Sequence, residues 1–271
     1  MKQDIKLHNK NKEFSWSVPS GPYHFFSDQE VKSFNDLGYV VVEDAFSAEE
    51  VNEVIEHIDP YEFNVTEALK GLDGGKFFIS RAEEITFTTH LVTQSDVLKE
   101  FSRHNVFSSI CGDLIGPDVR LYWDQAVYKK PGTKDEFPWH QDNGYTFIEP
   151  QAYLTCWVAL TDTDETNGCP CVVPGLHKRG TLHHENTELG YQIPLDSSES
   201  ITLPLKAGSI AIFSSLTPHR TGPNLSEGIR KSYILQYAPE GSKRLVSDSI
   251  SEEVNDETRQ FLILRDGKRV N

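Results

Sequence analysis

His140 and Asp142, held two residues apart in Trp139-His140-Gln141-Asp142, and His219 further along offer two imidazoles and one carboxylate. That donor set suits a mononuclear non-haem Fe(II) site, in which three protein ligands take one face of the ion and leave the other positions open. Arg230 follows His219 at the head of Arg230-Lys231-Ser232-Tyr233-Ile234-Leu235-Gln236-Tyr237. A guanidinium there could fork onto the carboxylate of a dicarboxylate cosubstrate, helped by the hydroxyl of Ser232 on the same strand face. The chemistry expected of such a set is that of an oxygenase.

A histidine two residues before an acid is a weak signal on its own. With 10 His and 41 Asp+Glu in 271 residues, roughly 1.5 such pairs arise by accident. The chain has His57/Asp59, His140/Asp142 and His183/Glu185. His57 ends a helix running from Glu49, and helical residues i and i+2 point about 200° apart, so they cannot converge on one ion. His183 and Glu185 sit in a polar, unpatterned stretch with nothing rigid to fix them. His140 and Asp142 follow Phe137-Pro138-Trp139, where the proline favours an extended backbone. In an extended segment i and i+2 share a face and can ligate together. Phe137, Trp139 and Tyr145 are placed to wall the site. His219 lies in the loop Thr217-Pro218-His219-Arg220-Thr221-Gly222, after the strand Ser209-Ile210-Ala211-Ile212-Phe213.

Elements elsewhere must position these residues. Ser27-Asp28-Gln29-Glu30 and Ser47-Ala48-Glu49-Glu50 have the capping-box form that starts a helix, and Gly38-Tyr39-Val40-Val41-Val42 between them reads as a short strand. From about Val119 the pattern is a series of strands divided by Gly, Pro and Asn: Arg120 to Lys130, Tyr153 to Leu160, Cys171 to Val173, Ser209 to Phe213 and Lys231 to Tyr237. Helices first and strands afterwards predict a single α+β domain, mainly β, whose β part is a barrel or a double-sheet sandwich. No repeat or linker divides the chain. A helix-rich part over residues 1–115, a β core over 116–240 and a C-terminal extension over 241–271 are expected.

A net charge of −15 argues against nucleic acid as a partner. No apolar run is long enough to span a bilayer, and Met1 to His8 lack the apolar core of a signal peptide, so the expected compartment is the cytoplasm. Cys111, Cys156, Cys169 and Cys171 are too few and too irregular for a disulfide scaffold and read as buried free thiols.

Taken together the motifs resemble the phytanoyl-CoA dioxygenase family over most of the chain. Phe34 to Val42 is similar to its N-terminal helix and strand, and His140/Asp142 to its iron pair. Trp157 to Asp162, Asn167-Gly168-Cys169 and Val173 to Lys178 follow in order, then His219-Arg220-Thr221-Gly222-Pro223-Asn224 and Arg230. Cys169-Pro170-Cys171 and Leu176 depart from the pattern at positions that carry none of the chemistry.

The resemblance implies a double-stranded β-helix (jelly-roll, cupin-like) core with the N-terminal helices packed outside. It also implies Fe(II) held by His140, Asp142 and His219, 2-oxoglutarate anchored by Arg230, and O2 as oxidant. Gln125 and Thr155, with Lys129 behind them, are candidates for touching the cosubstrate. Related halogenases lack the carboxylate ligand; Asp142 is present, which favours hydroxylation of a C–H bond with succinate and CO2 as coproducts. The expected partner is a small-molecule substrate acted on by a monomer or homodimer. Lys76 and Arg81 could meet an anionic group on it. A cupin-like metal enzyme that uses no oxoacid, and a non-catalytic jelly-roll binding module, are the alternatives.

Overall fold

A computed structural model describes residues 5–195, 198–247 and 249–270. Residues 1–4, part of the segment read above for a leader, lie outside the described residues. No helix among the described residues is long and apolar enough to cross a membrane.

Both capping boxes form. Ser27 and Glu30 cap helix α1 (Asp28–Leu37), which stops at Gly38 with φ 85°. A Cβ at Gly38 would lie 2.4 Å from the His177 ring, so both the left-handed turn and the close packing require glycine. Ser47 and Glu50 cap α2 (Ala48–Lys70). The sequence pattern predicts α2 to end near His57; it continues through Pro60. Pro60 removes the one bond that its N–H would make to the preceding turn, whereas the buried stripe Val51, Val54, Ile58 runs on to Leu69, and packing of that stripe outweighs the lost bond. Two shorter helices, α3 (Asp96–Ser102) and α4 (Asn105–Leu114), complete the helical layer.

The β core has ten strands that matter for the site: β1 (Tyr39–Val42), β2 (Ile85–Thr89), β3 (Val119–Lys129), β4 (Phe137–His140), β5 (Leu154–Ala159), β6 (Pro170–Val172), β7 (Ile201–Thr202), β8 (Ile210–Ser214), β9 (His219–Thr221) and β10 (Arg230–Pro239). The larger sheet runs β1-β8-β5-β10-β3-β2 and continues into the hairpin of Ser80–Arg81 and Lys76–Phe77; the smaller runs β7-β6-β9-β4. Every pairing is antiparallel.

Alternation along each strand divides the side chains between two layers. In β5, Cys156 and Val158 face the helices and pack with Phe101, Phe107 and Ile58. Trp157 and Ala159 point between the sheets, toward Val172, Phe213 and Ile234. The result is the expected double-stranded β-helix with helices outside. Residues expected as a C-terminal extension are woven into the larger sheet, because Leu262–Arg265 pairs with the start of β3. All four cysteines are buried free thiols.

Candidate metal centre

The site lies between the two sheets. His140 ends β4 and His219 begins β9, and the two are directly paired across the strands, with ring centroids 4.1 Å apart. His219 is therefore a strand residue, not the loop residue its Pro218 neighbour suggests; pairing with β4 and β6 on either side extends the backbone. Gln141 is extended (φ −113°, ψ 141°), and Asp142 then opens a four-residue helical turn, Asp142–Tyr145. The extended backbone predicted before Asp142 thus lasts just long enough for His140 and Asp142 to share a face.

Each imidazole is aimed by its own backbone. His140 Nδ1 lies 2.8 Å from the Pro138 carbonyl and His219 Nδ1 3.0 Å from the Thr217 carbonyl, so each donates an Nδ1–H and turns Nε2 inward. The two Nε2 atoms stand 3.9 Å and 3.8 Å from Asp142 Oδ1, and one donor atom from each residue falls within 4.8 Å of the others. Burial lowers His140 to about 3, helped by His219, and burial lowers His219 to about 4. Both rings are neutral, with a lone pair on Nε2 free for a cation. Burial raises Asp142, opposed by His140 and by bonds from Thr155 and Gln236.

The other expected residues divide by role. Thr155 Oγ1 donates to Asp142 Oδ2 at 2.5 Å, and Gln236 Nε2 approaches Thr155 Oγ1 at 3.3 Å; both hold the Asp142 carboxylate. Gln125 lines the same cavity, its Oε1 accepting from Trp123 Nε1 at 3.1 Å. Arg230 is 1% exposed and lies 5.3 Å from the Trp157 ring. Its Nη1 donates to Ser232 Oγ at 2.6 Å, and that hydroxyl donates on to the Val127 carbonyl at 3.0 Å. Ser232 thus orients the guanidinium. Arg230 Nε and Nη2 have no partner among the described residues, although both are buried.

Three expectations are corrected. Trp139 does not wall the site: alternation turns it to the opposite face of β4, with Cys171 and Val173 and beneath Arg220. Phe137 and Tyr145 do flank His140, at 4.8 Å and 5.4 Å between rings. The stretch around His183 is ordered, not unpatterned, since Glu185–Thr187 pairs with Gly190–Gln192. Arg81 is tied to protein, donating to the Glu188 carbonyl at 3.1 Å, while Lys76 is exposed.

The structure also adds residues that local pattern did not reveal. His184 Nε2 accepts from the Gln141 N–H at 2.9 Å. The Gln141 side chain, fully buried, donates to the carbonyls of Gly180 and Leu216 and accepts from Leu182 N–H. The backbone between His140 and Asp142 is thereby fastened to neighbouring loops. The His57/Asp59 pair is structural: His57 meets Ser95, and Asp59 binds Tyr128 and Lys231.

A family model described as phytanoyl-CoA dioxygenase (PhyH) matches residues 34–232, which include His140, Asp142, His219 and Arg230. The chain belongs to the phytanoyl-CoA dioxygenase family. A phytanoyl-CoA dioxygenase of Arabidopsis thaliana is 29% identical over 170 residues, covering 60% of this chain and 60% of that protein. A probable alpha-ketoglutarate-dependent hypophosphite dioxygenase of Stutzerimonas stutzeri is 26% identical over 230 residues, covering 79% and 78%. Among solved structures, EctD from S. alaskensis, crystallised with 2-oxoglutarate and 5-hydroxyectoine, superposes with a TM-score of 0.65 at 20% identity, covering 89% of this chain and 85% of that one. That likeness establishes the fold, and the family match accords with the motifs from Phe34 to Arg230.

Proposed function

We propose that this PhyH-family chain is an Fe(II)- and 2-oxoglutarate-dependent dioxygenase that hydroxylates a C–H bond of a small molecule. His140, Asp142 and His219 are the iron ligands in this reading, and Arg230 is the cosubstrate anchor. The observation that carries it is the state of Arg230. It is buried beside the three metal-type donors, has no ion-pair partner among the described residues, and keeps two N–H groups unpartnered in the same cavity. A buried cation without an anion is costly, and a carboxylate delivered by a ligand removes that cost with a bidentate bond.

The donor chemistry fits Fe(II): two neutral imidazoles and one carboxylate, closely grouped. When bound, iron supplies oxidative decarboxylation of 2-oxoglutarate by O2, one oxygen atom ending in succinate and the other in the product hydroxyl, with loss of CO2. The chain's own residues orient and exclude. Thr155 and Gln236 hold the Asp142 carboxylate, Ser232 holds the guanidinium, and Phe137, Trp157 and Phe213 keep water from the reacting groups. A metal enzyme using no oxoacid would leave Arg230 without a function.

The test is oxygen-dependent conversion of 2-oxoglutarate to succinate by the Fe(II)-loaded protein, together with a weak visible charge-transfer band on anaerobic addition of Fe(II) and 2-oxoglutarate. Failure to see either result rejects the assignment.

A further inference from the structure

Apart from the three metal-type donors, three uncharged polar residues and Arg230, every side chain lining the cavity is hydrocarbon or aromatic. From its edge a path of rings leads to the surface. Phe137 stacks on Tyr145 with centroids 6.2 Å apart and planes at 22°. Tyr145 meets Tyr191 edge-on at 5.1 Å, and Phe78 meets Tyr145 and Tyr191 at 6.4 Å and 6.3 Å. Phe78 is 57% exposed, and Phe77 beside it 71%.

Two hairpins hold this path in place. Tyr191 N–H donates to the Tyr145 hydroxyl at 3.1 Å. Gly190, at φ 115°, lies against the same hydroxyl, where an added Cβ would be 2.5 Å away. Arg81 Nη2 donates to the Glu188 carbonyl, joining the hairpin that carries Phe78 to the one that carries Tyr191. Phe78 itself sits at φ 51°, a conformation disfavoured for a large side chain. Exposed phenylalanines that continue a half-buried aromatic wall mark a ligand groove.

We propose that the substrate carries an apolar, ring-sized face that passes over Phe78 and Tyr191 and seats on Tyr145 and Phe137, and that it is not a small oxyanion. The proposal rests on the iron and oxoacid reading of the cavity. An oxyanion substrate needs cationic or N–H donors of its own. Among the described residues Arg230 is the one cation lining the cavity and, in that reading, serves the cosubstrate, while Lys129 Nζ donates to the Gly222 carbonyl. The site therefore differs in kind from what the name of the hypophosphite-oxidising relative requires of that protein.

Benzyl alcohol and cyclohexylmethanol serve as neutral ring probes, with hypophosphite and methylphosphonate as oxyanions. Ligand-observed NMR reads probe binding without iron, and perturbation of the anaerobic Fe(II)/2-oxoglutarate band reads whether the probe sits at the metal. Expected are binding of both ring probes and a band shift. Phe78→Ala, which removes only an exposed ring, and Tyr191→Ala should each weaken binding about tenfold, the loss of one ring contact. Ile250→Ala, an equally exposed apolar truncation elsewhere, should not. Ring probes that fail to bind, that bind both ring variants as well as the parent, or that bind without shifting an intact band overturn the proposal. So does succinate release stimulated by hypophosphite or methylphosphonate. Ring binding lost in the variants, in a protein that never forms the band, supports the ring site and counts against the iron and oxoacid reading.

Discussion

Lys129 and Arg230 face each other across two antiparallel strands, the last residue of β3 opposite the first of β10. Both are buried, and neither has an ion-pair partner among the described residues. Lys129 Nζ donates to the Gly222 carbonyl at 2.5 Å, and Asn224 Nδ2 donates back to the Lys129 carbonyl at 2.9 Å. This reciprocal clamp accounts for Gly222 and Asn224 in the motif that begins at His219. It fixes the end of β9, which begins at His219, against the strand pair that carries Arg230. Lys129→Met should therefore raise the 2-oxoglutarate concentration needed for half-maximal turnover about tenfold, with a smaller fall in kcat, and Lys129→Arg should restore part of it. Steady-state kinetics with varied 2-oxoglutarate checks both; a fall in kcat alone would remove the clamp from cosubstrate binding.

The same pair sets a pH dependence. Burial, then the neighbouring Arg230, pull Lys129 down to about 7, with Glu136 and Asp135 opposing. Below that value the amine is charged and adds to the field that attracts a carboxylate; above it the amine is neutral and the attraction weakens. The dissociation constant of 2-oxoglutarate should rise between about pH 6 and about pH 8, where ordinary lysines do not titrate. Lys129→Met should flatten the profile. Calorimetric titration with Fe(II) present at each pH measures it.

Arg230→Met replaces the anchor by a side chain of similar length without charge. Its Nε and Nη2 are the unpartnered donors, and charge-assisted bonds contribute about 1.5–3 kcal/mol each. The 2-oxoglutarate requirement should rise on the order of 100-fold. Fe(II) binding, measured without cosubstrate, should stay close to that of the parent, since Arg230 contacts none of the metal-type donors. An unchanged requirement would place the anchor elsewhere.

Asp142→Ala removes one of three donors and should abolish oxygen-dependent succinate formation, whereas His57→Ala, which loses only the contact with Ser95, should keep it. The comparison sets the chosen His–acid pair against a decoy of the same form. Succinate quantified after a fixed incubation decides it, and robust activity in the Asp142 variant would reject the metal assignment.

Much of this centre was legible because it is local. Pro138 extends the backbone before His140, a single residue separates it from Asp142, and strand alternation puts Arg230, Ser232 and Gln236 on one face. Capping boxes at Ser27 and Ser47 likewise carry their own start signals. What pattern could not supply comes from contacts distant in sequence. Thr155 was visible as a polar strand residue, but its bond to Asp142 joins opposite sheets. His184 lies in a stretch without periodicity and matters because its hairpin folds back onto Gln141. The helix read as ending at His57 runs on, because tertiary packing carries α2 past Pro60.

Gln141 tests how far such distant contacts support the metal. Its side chain bonds to backbone groups and to none of the metal-type donors, yet it is the residue that joins His140 to Asp142. Removing it strands the Gly180 and Leu216 carbonyls and the Leu182 N–H, all bonded to its amide. Buried groups left unpaired cost about 1–3 kcal/mol each; with partial relaxation, Gln141→Ala should lower stability by about 3 kcal/mol and Tm by roughly 5 °C. Fe(II) affinity should fall about 10- to 100-fold, as it does when groups that orient metal ligands are lost. Asp142→Ala separates the two effects, because it removes a donor while leaving the Gln141 bonds intact, and so should lose Fe(II) with little fall in Tm. Thermal denaturation without metal and anaerobic Fe(II) titration measure them independently. Full Fe(II) affinity in a destabilised Gln141→Ala protein would mean that the pairing of β4 with β9 alone holds the ligands in place.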